Sequence, residues 1–345
     1  MTNNGDDHLN RETSVSAELT ETGVEAKTNS RAIAALDRLV GNIAEVWNSK
    51  LERSIEKRRA IAAAEKTLIE AAASSVAERI EADPELAIRA LDSHLEGLIR
   101  KQSNKEAVAI ETIEQLNLAP PTSKETSEGP DTISEEFIAS FEPFAERAST
   151  DALRAKWAKV LASEIKAPGT FTNKALRVTD ELNGQVAQLF ETVCNDRLGN
   201  TVPKAIAREL KFHERQALVN AELLVESPLG HVRFFREMQD AGGRELYICT
   251  FGQTAIGFAK DVPENVRNAA DIQSHEENPT LPVFILTDAG NALASILTNH
   301  EREATDRLAK TLAEKMRGIE IRQYATNSTG EFDVTNIHLV PPETG

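Results

Sequence analysis

Residues 157–172 read WAKVLASEIKAPGTFT, and their spacing predicts a helix that ends in a tight turn. Trp157, Leu161 and Glu164 fall at positions i, i+4 and i+7, so they share one face of that helix. A carboxylate beside a large aromatic ring on a helix face is unusual, because burial of an unpaired charge is costly. The stretch therefore predicts a packed helical hairpin whose own groups must donate hydrogen bonds to the buried carboxylate.

The turn residues suggest how the acid is satisfied. Pro168-Gly169 suits the central positions of a type II turn, and Thr172 can cap the helix that follows. Folding that helix back would bring its unsatisfied N-terminal amides to Glu164, which would need no cation. The alternative hypothesis, that Glu164 is a ligand or general acid/base, is less favoured because no His, Cys or second acid converges on it in the sequence.

The pattern W-A-x-x-L-A-x-E-x-x-x-P-G-x-F-T resembles the signature of the bacterial domain-of-unknown-function family 2806. It is also similar to the Trp-Ala-x-x-Leu-Ala pattern of the alpha-type abortive-infection proteins. Residues 100–104 (RKQSN) and 286–293 (LTDAGNAL) match the first family too, so the resemblance spans roughly residues 85–300. It implies a bacterial setting, with anti-phage defence as a role, and no reaction. The motif residues, expected to be structural, are Trp157, Leu161, Glu164, Pro168, Gly169, Phe171 and Thr172.

The composition favours a helical protein. The chain has 345 residues, of which 40% are hydrophobic and only 5% aromatic, so small aliphatic side chains must build the core. Such cores favour helix packed on helix.

A formal net charge of −16 repels nucleic acid and anionic lipid on average. No stretch approaches the ~20 apolar residues of a membrane span, and no signal peptide is recognised, so we expect no membrane contact and a cytoplasmic location.

Apolar stripes and breaks in the pattern divide the chain. One stripe starts at Ile33, another covers residues 61–80, and Asp83-Pro84-Glu85 opens a helix that precedes a further helix at about residues 104–117. The predicted fold class is mainly α, with an N-terminal helical bundle or hairpins, a central helical hairpin and a C-terminal α+β winged-helix-like module. The predicted division is a disordered tail (1–30), a helical bundle or coiled-coil region (31–118), a linker (119–133), a central helical domain (134–198), the winged-helix-like module (199–298) and a helix with short strands (299–345).

The C-terminal part is similar to winged-helix regulators. We expect Pro203 to open a short helix, a second helix at about residues 212–222, several strands, a polar mobile loop at residues 261–281 and a helix from Thr287. Four basic residues fall on the proposed helix pair and are candidate nucleic-acid contacts, although two acids lie among them. They are Lys204, Arg208, Lys211 and Arg215.

Sequence motifs for catalysis are missing. Cys194 and Cys249 lie far apart among apolar neighbours, as buried thiols do. The GQTAIG stretch at residues 252–257 lacks the lysine of a phosphate-binding loop. We therefore expect no cofactor and no metal site, and an enzyme is not favoured.

These observations favour a bacterial helical interaction or scaffold protein that acts in phage defence. Its N-terminal helices would drive self-association or partner binding, and its C-terminal module would be a second docking surface. The alternative is a winged-helix DNA-binding regulator that uses residues 203–222.

Overall fold

The computed structural model describes residues 26–41, 84–121, 125, 129–240, 242–275, 278–327 and 330–342. The chain divides into two compact units, residues 1–173 and 174–345. The predicted stripe at residues 61–80 and the first 25 residues of the predicted tail lie outside the described residues.

The described part of the first unit is helical. Its helices are α1 (Ala26–Val40), α2 (Pro84–Leu118), α3 (Glu135–Arg147) and α4 (Asp151–Lys166). The long helix α2 packs against the other three. Ser134 and Thr150 cap α3 and α4 by accepting hydrogen bonds from Phe137 N and Leu153 N.

Two boundaries differ from the sequence-based expectation. Helix α2 continues through Asn104, where two helices were predicted, because the Asn104 amide donates to the Glu146 carbonyl oxygen at 2.8 Å instead of competing for its own backbone. Helix α1 begins at Ala26, inside the predicted tail, and the buried Arg31 in its second turn donates to the Pro130 carbonyl oxygen at 2.7 Å.

The second unit mixes helices and strands. Helix α5 (Asn173–Glu181) starts at the boundary between the units. The helices that follow are α6 (Gly184–Cys194), α7 (Phe212–Asn220), α8 (Glu264–Ala269), α9 (Asp288–Ser295) and α10 (Glu301–Lys315). The strands are β1 (Thr201–Pro203), β2 (His231–Phe234), β3 (Arg236–Gln239), β4 (Glu245–Phe251), β5 (Thr254–Ala259), β6 (Gln273–His275), β7 (Asn278–Ile285), β8 (Ile321–Thr326) and β9 (Phe332–His338).

These strands form two antiparallel sheets. In the four-stranded sheet, β7 pairs with β1, β2 and β6, and Val202 lies opposite Phe284. The five-stranded sheet has the order β3-β4-β5-β8-β9. Helix α10 packs on one face of the five-stranded sheet, where Leu308 and Leu312 join the cluster that contains Cys249 and Phe258. The opposite face carries a smaller cluster of Leu246, Ile248, Ala255 and Tyr324.

The mainly α fold class predicted from the sequence is wrong, because the described residues form an α+β fold with two antiparallel sheets. The prediction of a winged-helix-like module is wrong as well. Pro203 ends strand β1 instead of opening a helix, because residues 201–203 pair with β7. Strands β4 and β5 share a sheet with β8 and β9, which lie beyond residue 298.

One further segment differs from the prediction. The polar loop that was expected to be mobile at residues 261–281 contains α8, β6 and the start of β7. The GQTAIG stretch, which lacks the lysine of a phosphate-binding loop, forms a hairpin turn and the first part of strand β5. The predicted helix start at Thr287 is confirmed, since its hydroxyl accepts from Gly290 N at the N-terminus of α9. Among the described residues, no helix is long and apolar enough to cross a membrane.

Replacing Trp157 by alanine should lower the free energy of unfolding by about 3–5 kcal/mol, as truncation of a large buried ring does. The Trp157 side chain is 1% exposed, stacks on Phe144 at a ring distance of 4.6 Å and meets the edge of Phe141 at 5.9 Å. Urea denaturation measures the change. Phe212→Ala is the control, because that ring is 79% exposed. Equal unfolding free energies for Trp157→Ala and the unmodified protein would refute the core assignment.

Candidate functional site

The turn after α4 has the predicted form. Thr170 N donates to the Ala167 carbonyl oxygen at 3.2 Å, which closes a four-residue turn with Pro168-Gly169 at its centre. Gly169 has a φ of +92°, a left-handed conformation that glycine adopts without strain and that a type II turn requires at this position. The sequence therefore predicted this turn correctly.

Glu164 is held by the backbone of that turn. Its side chain is 2% exposed. One carboxylate oxygen accepts from Gly169 N at 2.6 Å and the other from Phe171 N at 2.9 Å. We call this arrangement the Glu164 clasp. The carboxylate is bound by amides, as predicted, but the amides belong to the turn and not to the N-terminus of α5.

Two opposing effects act on the pKa of the Glu164 carboxyl. Burial raises the pKa of the Glu164 carboxyl, and the hydrogen bonds from the backbone of Gly169, Phe171 and Thr170 lower it by a smaller amount. Both carboxylate oxygens already hold backbone donors, so the group is arranged to fix the turn.

Arg31 is a residue that sequence reasoning missed. Its side chain is fully buried, and its guanidinium donates to the carbonyl oxygens of Pro130 at 2.7 Å and of Lys166 and Glu125 at 3.3 Å. A cation at the C-terminal end of α4 complements the helix dipole, and Arg31 also ties α1 to the segment before α3. No periodicity marks a buried arginine in a sequence, since the residue type is usually exposed.

The other motif residues divide between the core and the turn. Leu161 and Phe171 are buried, Pro168 is half-buried, and Thr172 is exposed immediately before α5. The structural role expected for the whole set stays a prediction.

The four candidate nucleic-acid contacts are all exposed, but they do not share one helix. Lys204 lies in the loop after β1, with its ammonium over the Phe284 ring at 5.1 Å. Arg208 is in the same loop and pairs with Glu214 at 2.8 Å. Lys211 and Arg215 lie at and within the start of α7. Their role in nucleic-acid binding stays a prediction.

The two thiols are buried and unreactive. Burial raises the pKa of both Cys194 and Cys249 to about 12, so neither is a thiolate near neutral pH. Across the described ranges, no group of three or more His, Cys, Asp and Glu side chains is arranged to hold a metal ion.

An exposed apolar surface lies on strand β9, at the edge of the five-stranded sheet. Val334 lies opposite Tyr324 and Ile337 opposite Arg322, and a bulge at Thr335 brings both side chains to the same face of the sheet. We name this surface the β9 stripe. Its members, between 38% and 54% exposed, are Phe332, Val334, Ile337 and Leu339.

The outer edge of β9 is unpaired in the part of the chain that the structure describes, since β9 pairs with β8 alone. Unpaired strand edges carry free backbone donors and acceptors that can bind another strand. The β9 stripe and this edge together form a candidate protein interface.

Glu164→Gln should lower the free energy of unfolding by about 1–3 kcal/mol, because an amide has one acceptor oxygen and would leave Gly169 N or Phe171 N without a partner. The control is Glu136→Gln on the exposed start of α3, which should change little. A variant of unchanged stability would show that the Glu164 clasp does not stabilise the turn.

The same pair of proteins tests the sign of the pKa shift. Because the native pKa is raised above the ordinary 4.5, the native chain holds this proton to higher pH than the unfolded chain does. The associated stabilisation is present below the ordinary pKa and is lost as pH rises through the native value. The stability difference between the unmodified protein and Glu164→Gln should therefore be larger at about pH 4 than at about pH 7. A difference that grows with pH would contradict the shift.

Comparison with known proteins identifies one family. Residues 89–205 match the family described as a protein of unknown function (DUF2806). No curated protein and no solved structure matches this chain. The match contains residues 100–104 and 157–172, which confirms that part of the predicted resemblance, but it ends before residues 286–293. Over residues 89–205 the chain is thus similar to a family whose function is unknown.

Proposed function

We propose that this chain is an interaction protein that binds a protein partner along the β9 stripe. The observation that carries the proposal is the exposure of its apolar side chains beside an unpaired strand edge, with Val334 at 49% and Ile337 at 50%. A partner segment in extended conformation would add to β9 through backbone hydrogen bonds, and its alternate side chains would cover the stripe.

The chemistry of the strand supports this mode of binding. Lysine and proline are two of the devices that block edge strands in monomeric proteins. The residues of β9 include neither lysine nor proline, and Asp333 is its one carboxylate. The bulge at Thr335 keeps Ile337 on the same face as Val334, so the apolar surface is continuous along the strand.

Val334→Lys combined with Ile337→Lys should abolish partner binding and leave the fold intact, because both side chains are half exposed. Leu229→Lys is the matched control, since Leu229 is a fully exposed apolar residue outside β9. Proteins that copurify with the unmodified chain are first identified and purified. Each is then titrated against the unmodified chain, the double variant and Leu229→Lys. Hydrogen exchange of residues 332–338 is then measured with and without the partner.

Loss of binding in the double variant alone, together with slower exchange of the β9 amides in the complex, is the expected result. Equal binding by the double variant, or a partner that leaves β9 exchange unchanged, would refute the assignment. Association of the chain with itself, seen by sedimentation, would identify the partner as a second copy.

We further infer a setting in anti-phage defence, supported by the similarity of residues 157–162 to the abortive-infection pattern. Phage plating on cells with and without the gene tests it. Equal plating for a broad panel of phages would remove this proposal and leave the interaction function standing.

A DNA-binding regulator is the second candidate. It is supported by Lys204, Lys211 and Arg215, which are exposed and form no ion pair within the described residues. Gel shifts across a salt series separate the candidates, because neutralised phosphates give binding a steep salt dependence. For the regulator, Lys204→Gln with Lys211→Gln would weaken binding at low salt. Absence of a shift at low salt would eliminate this candidate.

A further inference from the structure

An open cavity of about 440 Å³, lined by both polar and apolar side chains, lies between α2 and the N-terminal end of α4 in the first unit. Its lining includes Arg100, Ser103 and Asn104 from the RKQSN stretch, together with Ser149 and Arg154. The family match covers all of these residues, and the proposed function uses none of them.

Arg154 is fixed at the cavity by its neighbours. Its guanidinium donates to the Ala148 carbonyl oxygen at 3.1 Å, to Asn104 Oδ1 at 3.3 Å and to Asp151 Oδ1 at 3.2 Å. Asn104 is itself buried and held by the Glu146 carbonyl oxygen. A guanidinium positioned by buried partners loses little conformational entropy when a ligand binds.

Arg100 is the second cation of the cavity. It lies one turn before Asn104 on α2, so both side chains face the same side of that helix. Arg100 is exposed and forms no hydrogen bond or ion pair with any residue that the structure describes. The hydroxyl groups of Ser103 and Ser149 also hold no partner among those residues. The cavity therefore presents unused donors in a protein whose net charge is −16.

Two carboxylates face these donors. Asp151 is bonded to Arg154 and is almost fully exposed, which leaves its charge screened by solvent. Glu96 lines the cavity one turn before Arg100 and pairs with neither arginine. Glu96 is thus an acceptor beside a group of donors, an arrangement that suits a ligand with both an anionic group and hydroxyl groups.

We propose that this cavity binds a phosphate monoester of a small polyhydroxy compound, independently of the β9 stripe. Arg100 and Arg154 bind the phosphate oxygens, assisted by Ser103 and Ser149, and Glu96 accepts from a ligand hydroxyl. Guanidinium groups suit phosphate because they donate paired, charge-assisted hydrogen bonds. The volume lies within the range of small-molecule sites.

Isothermal titration with ribose 5-phosphate, inorganic phosphate and ribose tests the proposal at low ionic strength. Ribose 5-phosphate should bind more tightly than inorganic phosphate, and ribose should not bind. Arg100→Gln should weaken ribose 5-phosphate binding about tenfold, the equivalent of one charge-assisted hydrogen bond. Arg302→Gln, an equal charge change on the exposed face of α10, should leave binding unchanged.

Glu96→Gln provides a second readout on an exposed residue. It should strengthen binding of inorganic phosphate, because a negative charge is removed, and reduce the preference for ribose 5-phosphate, because an acceptor is weakened. Absence of binding by the unmodified protein, equal affinity in Arg100→Gln, or an equal loss in Arg302→Gln would each overturn the proposal.

Discussion

The first unit depends on how a buried carboxylate is satisfied where the chain reverses. Glu164 binds the amides of Gly169 and Phe171, so a charged side chain is placed in the core without a cation. The turn in return is fixed at three points, by its own hydrogen bond and by the two carboxylate oxygens. Because α4 carries Trp157, the largest of the fully buried side chains that the structure describes, the position of that turn sets where the helix ends against α2 and α3.

The part of the fold that sequence reasoning recovered is local. Trp157, Glu164 and Pro168-Gly169 lie within thirteen positions of one another, so helical spacing and turn chemistry predict the hairpin directly. Several strands were predicted, but their pairing into sheets was missed because it is distant: β5 binds β8 across more than sixty residues. Short strands such as β1, and a strand start at polar Asn278, carry no alternation that separates them from loops.

In the candidate sites too, contacts between residues close in the sequence were predicted and contacts between distant residues were not. Binding of Glu164 by backbone amides was predicted because the donors follow it closely in the chain, although they are amides of the turn and not of α5. The exposed face of β9 could not be predicted, since it arises from a bulge that brings Ile337 to the same side of the sheet as Val334. The cavity likewise needs α2 and α4 to be adjacent, which places Arg100 and Arg154 in one lining from two distant segments. Arginine is usually exposed, so residue type alone does not single out these two side chains.

Native-state hydrogen exchange of the Gly169 and Phe171 amides tests the central claim most directly. If the Glu164 carboxylate holds them, both amides should exchange as slowly as those inside α4, with an opening free energy close to that of unfolding the first unit. Exchange at the rate of a fully exposed position such as Leu229 would show that the carboxylate does not fix the turn.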